Sequence, residues 1–379
     1  MNLALSDEQV FLREAARGTL SRFKTLEAAR EALDGNDGAL PDLWPTAKEA
    51  GWPGLLIDES HGGAGLDVFD AMLVLSECGR VLAGIALLGH LPATAILGDA
   101  PNASGMLEAL ATGERRAAYL PVSPPDDLDQ SWSVDPAGGA ARAPAPTATG
   151  GGDEARVSGE LSFVPDAPGA QLLVGVALLD GKPVGVAIEA DAEGVSVAPV
   201  RRYDATRSLG HVSLKDAPAT LLDAPAESLA AAWHLSQALI AAESLGSVET
   251  ALDVSVAYAK ERHTFGRAIG SYQAVKHALT EVLRQLENGR SLLYYAGWAR
   301  HGGPAEFPLA ASAARSVAGR ALDDAARTMI SVHGGIGATW EHDAPLYFRR
   351  AQLSRRLLGG TARATDRVAG ELIAQADAA

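Results

Sequence analysis

The stretch YAKERHTFGRAIGSYQAVKH, residues 258–277, joins two runs of apolar residues that recur at helical spacing. The run before it is Leu245, Val248, Leu252, Val256 and Ala259, and the run after it is Val275, Leu279, Val282 and Leu286. This spacing predicts two long amphipathic helices that meet within the stretch. Gly266 and Gly270 predict a turn between them, because glycine favours backbone conformations that are rare inside helices.

Positive charge gathers at this predicted turn, in the side chains of Lys260, Arg262 and Arg267. Arginine offers paired donors to a phosphate, and the free N–H groups at the next helix start add more. The turn therefore suits a pyrophosphate or another anion. Spacing alone favours the simpler interpretation, which is a solvated basic turn between two helices of a bundle.

The composition narrows the classes of partner. The chain has 379 residues and a formal net charge of −15, which would repel nucleic acid and anionic lipid, so neither is an expected partner. No window is apolar enough for a membrane span, and the N-terminus lacks a targeting signal. The single cysteine, Cys78, lies in an apolar helical run and predicts a buried thiol rather than a disulfide. A cytoplasmic location fits these features best.

The hydrophobic period changes twice along the chain. Residues 1–117 predict a helical domain that begins at an N-cap, Ser6, and residues 228–379 predict a second helical domain. Between them, residues 118–227 predict an all-β domain, because short apolar runs alternate with glycine, proline and aspartate. Residues 135–153, DPAGGAARAPAPTATGGGD, predict a mobile loop at the entrance of this domain, with almost no core residues.

Two blocks resemble the signatures of the acyl-CoA dehydrogenase family. The first is the ordered set Tyr258, Arg262, Phe265, Gly266, Ile269, Gln273 and His277, and the second is HGGIGATWEHDAPLYFRRA, residues 333–351. The resemblance implies an α+β fold with an N-terminal helical domain, a central β-barrel-like domain and a C-terminal four-helix bundle. It also implies FAD, an acyl-CoA substrate, and an electron-transfer flavoprotein or a similar electron acceptor.

Family members need a carboxylate that removes the α proton of the acyl-CoA while the flavin accepts a hydride from the β carbon. At the first of the two places where the family keeps this glutamate, the sequence aligns Leu358 or Gly359. At the second it aligns Ser236, with Gln237 beside it. None of these residues accepts a proton, so the sequence predicts no catalytic residue in this chain. Glu243 is a possible displaced base, although a polar contact within the bundle explains it more simply.

The resemblance further implies that the flavin site is kept in part. Ser162, Phe163 and Val164 replace the residues that contact the flavin ring in the family, and residues 117–131 lack the expected Gly-Ser. Ser331 replaces a usual glutamine. The groups that reach a neighbouring subunit's FAD are retained, and the predicted cofactor-binding residues are Arg262, Thr264, Phe265, Gln273, His333, Gly334, Gly335 and Gly337.

This asymmetry is similar to that of bacterial α2β2 acyl-CoA dehydrogenases, in which one subunit type lacks the base. The sequence therefore predicts a subunit that shares FAD across an interface with a homologous subunit and acts on a possibly bulky acyl-CoA. Two alternatives stay open. One is a homo-oligomeric flavoenzyme with a non-standard base or reaction, and the other is a catalytically silent binding or scaffold protein.

Overall fold

The computed structural model describes residues 4–33, 42–126, 129–136, 142–151 and 154–377. Within these ranges, six α-helices precede the first strand: α1 (Asp7–Leu20), α2 (Thr25–Leu33), α3 (Trp44–Glu49), α4 (Val68–Arg80), α5 (Leu87–Gly98) and α6 (Ser104–Ala111). The predicted cap of α1 is confirmed: the Ser6 hydroxyl accepts from the Gln9 N–H, and the Gln9 side chain accepts from the Ser6 N–H. This reciprocal pair satisfies two N–H groups at the helix start.

The described residues of the central domain form nine strands, which are β1 (Ala117–Leu120), β2 (Ser133–Val134), β3 (Ala143–Pro144), β4 (Thr147–Thr149), β5 (Ala155–Pro165), β6 (Leu172–Leu179), β7 (Lys182–Glu189), β8 (Val195–Pro199) and β9 (Leu209–Leu222). Strands β6, β4, β5, β9 and β7 close into a five-stranded ring, because β7 also pairs with β6. Closure leaves no free edge in the ring. The predicted β-barrel-like domain is confirmed.

The chain then returns to helices: α7 (Ala226–Glu261), α8 (Gln273–Gly302), α9 (Phe307–His333), α10 (Ala344–Ser354) and α11 (Gly360–Asp377). Helix α9 packs against the other four. The predicted C-terminal helical domain is thus confirmed. Across the described ranges, no helix combines the length and the apolar character that crossing a membrane requires.

The prediction of a loop with almost no core residues at 135–153 is wrong for its described part, because that part contains two strands. Strands β3 and β4 lie there, and Ala145 and Ala148 are buried in the core of the barrel. The Arg142 side chain donates to the Ser133 hydroxyl and to the Asp135 carboxylate, at 2.6 and 2.7 Å. Residues 137–141 and 152–153, which the same prediction covered, lie outside the described residues.

Helices α4 and α7 cross at van der Waals distance because each helix has a glycine at the crossing. A Cβ atom on Gly79 would lie 1.9 Å from the Glu243 carbonyl oxygen, and one on Gly246 would lie 1.8 Å from that of Ser76. The Ser247 hydroxyl donates to the Gly79 carbonyl at 2.7 Å. Because of this contact, residues of the N-terminal and C-terminal helices form one continuous hydrophobic core.

Cys78 lies in this crossing and is 1% exposed. Burial, reinforced by the Glu243 and Glu77 carboxylates, raises the pKa of its thiol. Since only the thiolate attacks disulfide reagents, we expect native protein to leave dithionitrobenzoate unreacted and unfolded protein to release one thionitrobenzoate per chain. Absorbance at increasing guanidinium concentration measures this. A native thiol that reacts as fast as free cysteine would contradict the burial of Cys78.

Candidate cofactor and catalytic sites

A short hairpin connects α7 to α8. Strands β10 (His263–Thr264) and β11 (Arg267–Ala268) pair across a two-residue turn, Phe265 and Gly266, whose φ angles are 48° and 80°. Two positive φ angles are typical of the turn that matches the twist of paired strands. A phenylalanine seldom adopts this conformation, and the Phe265 side chain is 92% exposed. The hairpin thus presents an aromatic ring outward on a strained backbone, a feature that marks functional sites.

The other predicted residues of the first block surround this hairpin. Arg262 and Thr264 are exposed, and Gln273 is exposed at the first position of α8. The Ile269 N–H donates to the Arg262 carbonyl at 2.8 Å, so the backbone that carries the guanidinium is fixed. The Tyr272 hydroxyl donates to the Thr264 carbonyl at 3.1 Å. The surface therefore offers a guanidinium, a hydroxyl and an amide beside one exposed aromatic ring.

The second block lies against the first. The buried His333 ring is 4.3 Å from the Tyr258 ring, centroid to centroid, and the same distance from the His342 ring. Burial, with a further contribution from His333, lowers the pKa of His342. This stack brings the C-terminal ends of α7 and α9 together, and with them the two sequence blocks that are about 70 residues apart.

The glycine turn after α9 leaves its backbone open to a ligand. Gly334 has φ 63° and ψ −135°, a conformation that glycine alone adopts readily. Gly334 and Gly335 are exposed, whereas Gly337 packs so closely that a Cβ atom would lie 2.7 Å from the Ile330 carbonyl oxygen. Gly334 is consequently required by backbone conformation and Gly337 by close packing, whereas a side chain at Gly335 would meet no neighbour within 4 Å.

The two places that the resemblance predicts for the family's glutamate meet in space. The Gln237 amide donates to the Leu358 carbonyl at 3.1 Å, although 121 residues separate them. The Ser236 hydroxyl donates to the Ala232 carbonyl within α7. Leu358 is buried with φ 54°, and Gly359 and Gly360 follow with φ angles of 78° and 76°. Neither position carries a group that could accept a proton.

A cavity of about 650 Å³ opens beside Leu358, between the barrel, the end of α10 and the start of α11. Ser162 and Phe163, the residues that replace the expected flavin contacts, line it. Phe163 lies where the pairing of β5 with β9 is irregular, and its backbone φ angle is 56°. Leu358, the predicted base position, and the predicted ring-contact positions Ser162 and Phe163 thus face the same space.

Sequence reasoning missed the carboxylate that lines this cavity, Asp135. One of its oxygens accepts from the Gly359 N–H at 3.1 Å, and the other accepts from the Arg142 guanidinium at 2.7 Å. These two hydrogen bonds fix the orientation of the Asp135 carboxylate, and a second lone pair on each oxygen stays available as an acceptor. The local signal was an aspartate after SWSV, a segment of alternating serine and apolar residues, and it does not reveal a partner more than 200 residues away.

Glu243 lies elsewhere, in a buried ionic network. Its carboxylate accepts from Arg350 at 2.7 Å through one oxygen and from Arg207 through the other. Arg350 also contacts Asp204 at 2.8 Å and the Thr206 carbonyl at 3.1 Å. The arrangement fits a structural contact that joins α7 and α10 to the segment before β9. Sequence reasoning did not identify the members Arg350, Arg207 and Asp204.

Comparison with known proteins places this geometry in a family. The acyl-CoA dehydrogenase N-terminal domain model matches residues 6–122, and the C-terminal domain model matches residues 229–373. Acyl-CoA dehydrogenase FadE34 of Mycobacterium tuberculosis is 32% identical over 377 residues, which are 97% of this chain and 48% of FadE34. This chain thus spans about half the length of that relative.

Two further matches cover nearly the full length of both partners. Acyl-CoA dehydrogenase IpdE2 of Mycobacterium tuberculosis is 31% identical over 354 residues, 93% of each chain. A solved structure of the Tcur3481-Tcur3483 steroid ACAD is 28% identical and superposes with a TM-score of 0.85 over 98% of this chain and 99% of that one. The chain therefore belongs to the acyl-CoA dehydrogenase family.

Proposed function

We propose that this chain is a subunit of a flavin-dependent acyl-CoA dehydrogenase, that it has no catalytic base of its own, and that it holds part of an FAD shared with a homologous partner subunit. When bound, the flavin supplies a hydride acceptor for the β carbon of the acyl-CoA. The partner would supply the glutamate that removes the α proton.

The observation that carries this proposal is the contact between Gln237 and Leu358. An acyl-CoA dehydrogenase needs an ionisable group beside the α carbon, within hydrogen-bond reach of the proton. Both places where the family keeps that group come together at this contact, and both are uncharged. Glu243 is an unsuitable substitute because two arginines hold its carboxylate away from the cavity.

The exposed residues around the hairpin fit the nucleotide end of FAD. Arg262 would pair with the pyrophosphate, Phe265 would contact the adenosine, and Thr264 and Gln273 would donate hydrogen bonds. The exposed backbone of Gly334 and Gly335 leaves room for the cofactor beside His333 and Gly337. Arg262, Thr264, Phe265, Gln273, Gly334 and Gly335 are exposed on this chain, so the cofactor they hold would belong to a neighbouring subunit as well.

The relatives support two finer parts of the proposal, which are the heteromeric assembly and the bulky substrate. The Tcur3481-Tcur3483 steroid ACAD pairs two differently named proteins, and FadE34 is long enough for two chains of this size. We therefore propose a heteromeric assembly with a bulky, steroid-sized acyl-CoA as substrate and an electron-transfer flavoprotein or a similar acceptor. The single buried cysteine fits a cytoplasmic location.

Flavin stoichiometry tests the proposal directly. The chain purified after co-expression with its homologous partner is expected to contain one FAD per pair of unlike chains, measured by flavin absorbance and sizing. Arg262→Ala is expected to weaken FAD binding about tenfold or more, because a charge-assisted hydrogen bond contributes roughly 1.5–3 kcal/mol. Arg284→Ala is the matched control, since Arg284 is an exposed arginine of α8 that pairs locally with Glu281.

Turnover provides the second readout of the same experiment. The chain alone is expected to leave a panel of acyl-CoAs unoxidised with an artificial electron acceptor, and the co-expressed pair is expected to oxidise at least one of them. If the chain alone purifies yellow with one FAD per subunit and turns over, the homo-oligomeric alternative is correct. A pair without flavin or turnover would favour the silent scaffold.

A further inference from the structure

An apolar groove on the surface of the C-terminal domain complements the exposed end of the last helix of the same chain. We propose that two copies of this chain associate about a twofold axis, and that the end of α11 in each copy docks into the groove of the other. This inference goes beyond the proposed function, because the shared FAD joins unlike chains whereas this contact joins two like copies.

The groove lies along the outer face of α10 and has a volume of about 570 Å³. Phe348 and Pro345 of α10 and Ile330 of α9 supply its apolar wall. Arg349 and Arg356 also line it, and they share one face of α10 because they are two helical turns apart. Among the residues that the structure describes, neither of these arginines makes an ion pair with a carboxylate. The groove therefore favours an apolar segment that carries negative charge.

The end of α11 has this apolar and acidic character. Leu372 and Ile373 are 52% and 61% exposed, so most of their apolar surface is left in contact with water. Asp366 and Asp377 are also exposed, and they lie on the same side of the helix as Ile373, two turns before it and one turn after it. The helix end thus presents apolar surface between two carboxylates, which complements a groove that has apolar walls and two guanidiniums.

The groove and the end of α11 are far apart within one chain. The Thr365 hydroxyl of α11 is hydrogen-bonded to the Ser316 hydroxyl of α9 at 2.6 Å. Thr361, one turn earlier on α11, lies against Gly319, one turn later on α9. Helix α11 therefore runs antiparallel to α9, away from the groove. With a rise of about 1.5 Å per residue, Ile373 is roughly 30 Å from the groove.

A twofold axis brings the two features together, which a single chain cannot do. When α9 of one copy lies antiparallel to α9 of the other, each helix end meets the groove of the other copy, and the dimer contains two identical contacts. Because the two contacts are linked, they form and break together. Gly334 and Gly335, which the proposed function assigns to FAD, do not line the groove.

The oligomeric state of the chain alone tests the inference. Sedimentation equilibrium is expected to show a dimer. Leu372→Ser/Ile373→Ser is expected to raise the Kd of this dimer about a hundredfold or more, since four apolar side chains per dimer return to water. Both side chains are exposed within one chain, so circular dichroism is expected to show unchanged folding. Phe11→Ser, which removes a 74% exposed phenylalanine of the N-terminal domain, is the matched control and is expected to change the Kd less than about twofold.

Charge reversal tests whether the groove is the docking site. Arg356→Glu alone, and Asp366→Arg/Asp377→Arg alone, are each expected to raise the Kd of the dimer about tenfold or more, because like charges then face each other. A chain that carries all three substitutions has opposite charges again, and its Kd is expected to return to within about threefold of the wild-type value. A triple variant as weak as the others would overturn the inference.

A photo-crosslink identifies the occupant of the groove. With p-benzoylphenylalanine at the position of Ile373, a dimer of unlabelled and isotopically labelled copies is expected to link this position to residues 330–356 of the other copy. The same link is expected after co-expression with the homologous partner. A link to the partner instead, a link within one copy only, or a chain that stays monomeric would overturn the inference. The flavin absorbance of the pair reports on the proposed function separately, so either result can fail without the other.

Discussion

Arg350→Met is expected to lower the free energy of unfolding by about 3–5 kcal/mol, the range found when one partner of a buried ion pair is removed. The Arg350 side chain is 1% exposed and contacts both Glu243 and Asp204. Methionine fills a similar volume but leaves two carboxylates in the interior with Arg207 as the remaining cation nearby. Too little positive charge then remains to offset the desolvation of these two carboxylates. The segment before β9 also loses the ion pair that connects it to α10.

Chemical denaturation followed by circular dichroism measures this effect. A double-mutant cycle with Glu243→Gln isolates the interaction between Arg350 and Glu243. The loss of unfolding free energy in the double variant is expected to be at least about 1 kcal/mol smaller than the sum of the losses in the two single variants. The control is Arg284→Met, which breaks an exposed pair on α8 and is expected to leave the denaturation midpoint unchanged. Equal effects of the buried and exposed substitutions would show that the network does not stabilise the fold.

Gly246→Ala is expected to destabilise the protein by about 3 kcal/mol, at the upper end of the cost of overpacking. The added methyl group would lie 1.8 Å from the Ser76 carbonyl oxygen and 2.7 Å from its carbon atom. Both atoms belong to the backbone of α4, so no side chain can rotate away and the two helices have to separate. The loss of contact then spreads over the core that the two helical domains share.

Gly18→Ala is the matched control for this substitution. Gly18 also lies within a helix, but a Cβ atom there has no neighbour within 4 Å. Because alanine favours the helix by up to about 1 kcal/mol relative to glycine, this variant is expected to be slightly more stable. A urea midpoint for Gly246→Ala that equals or exceeds that of Gly18→Ala would contradict the close crossing of α4 and α7.

The parts of the fold that follow from local pattern were predictable. The five apolar runs between residues 155 and 222 predict strands, and each of them is a strand in the structure. The short strands β2, β3 and β4 were missed, because two or three residues of alanine, proline and threonine carry no measurable period. Arg142 joins β2 to β3 through its hydrogen bonds to Ser133 and Asp135, and β4 is placed by its pairing with β5 and β6.

The candidate sites were likewise predictable only where local sequence pattern determines their position. The turn at Phe265 and Gly266 could be located from glycine and from flanking helical periods, although its paired strands could not. The network around Arg350 joins residues that are 107 and 146 positions apart, and no spacing rule reaches that far. A useful signal was present all the same. Glu243 stands alone among apolar and small residues in IAAESLG, and a lone charge in such a run needs a buried partner.

The crossing of α4 and α7 has a consequence for the chain as it leaves the ribosome. Ser247 and Gly79, which touch in the finished protein, are 168 residues apart. At roughly 5–20 residues per second, about 10–30 s pass between the synthesis of α4 and the arrival of its packing partner. During that interval the surface of α4 that packs against α7 has no helix to cover it, although α1 already packs against α4. A nascent chain halted before residue 226 is therefore expected to recruit a holdase chaperone, and one extended past residue 302 is expected to release it.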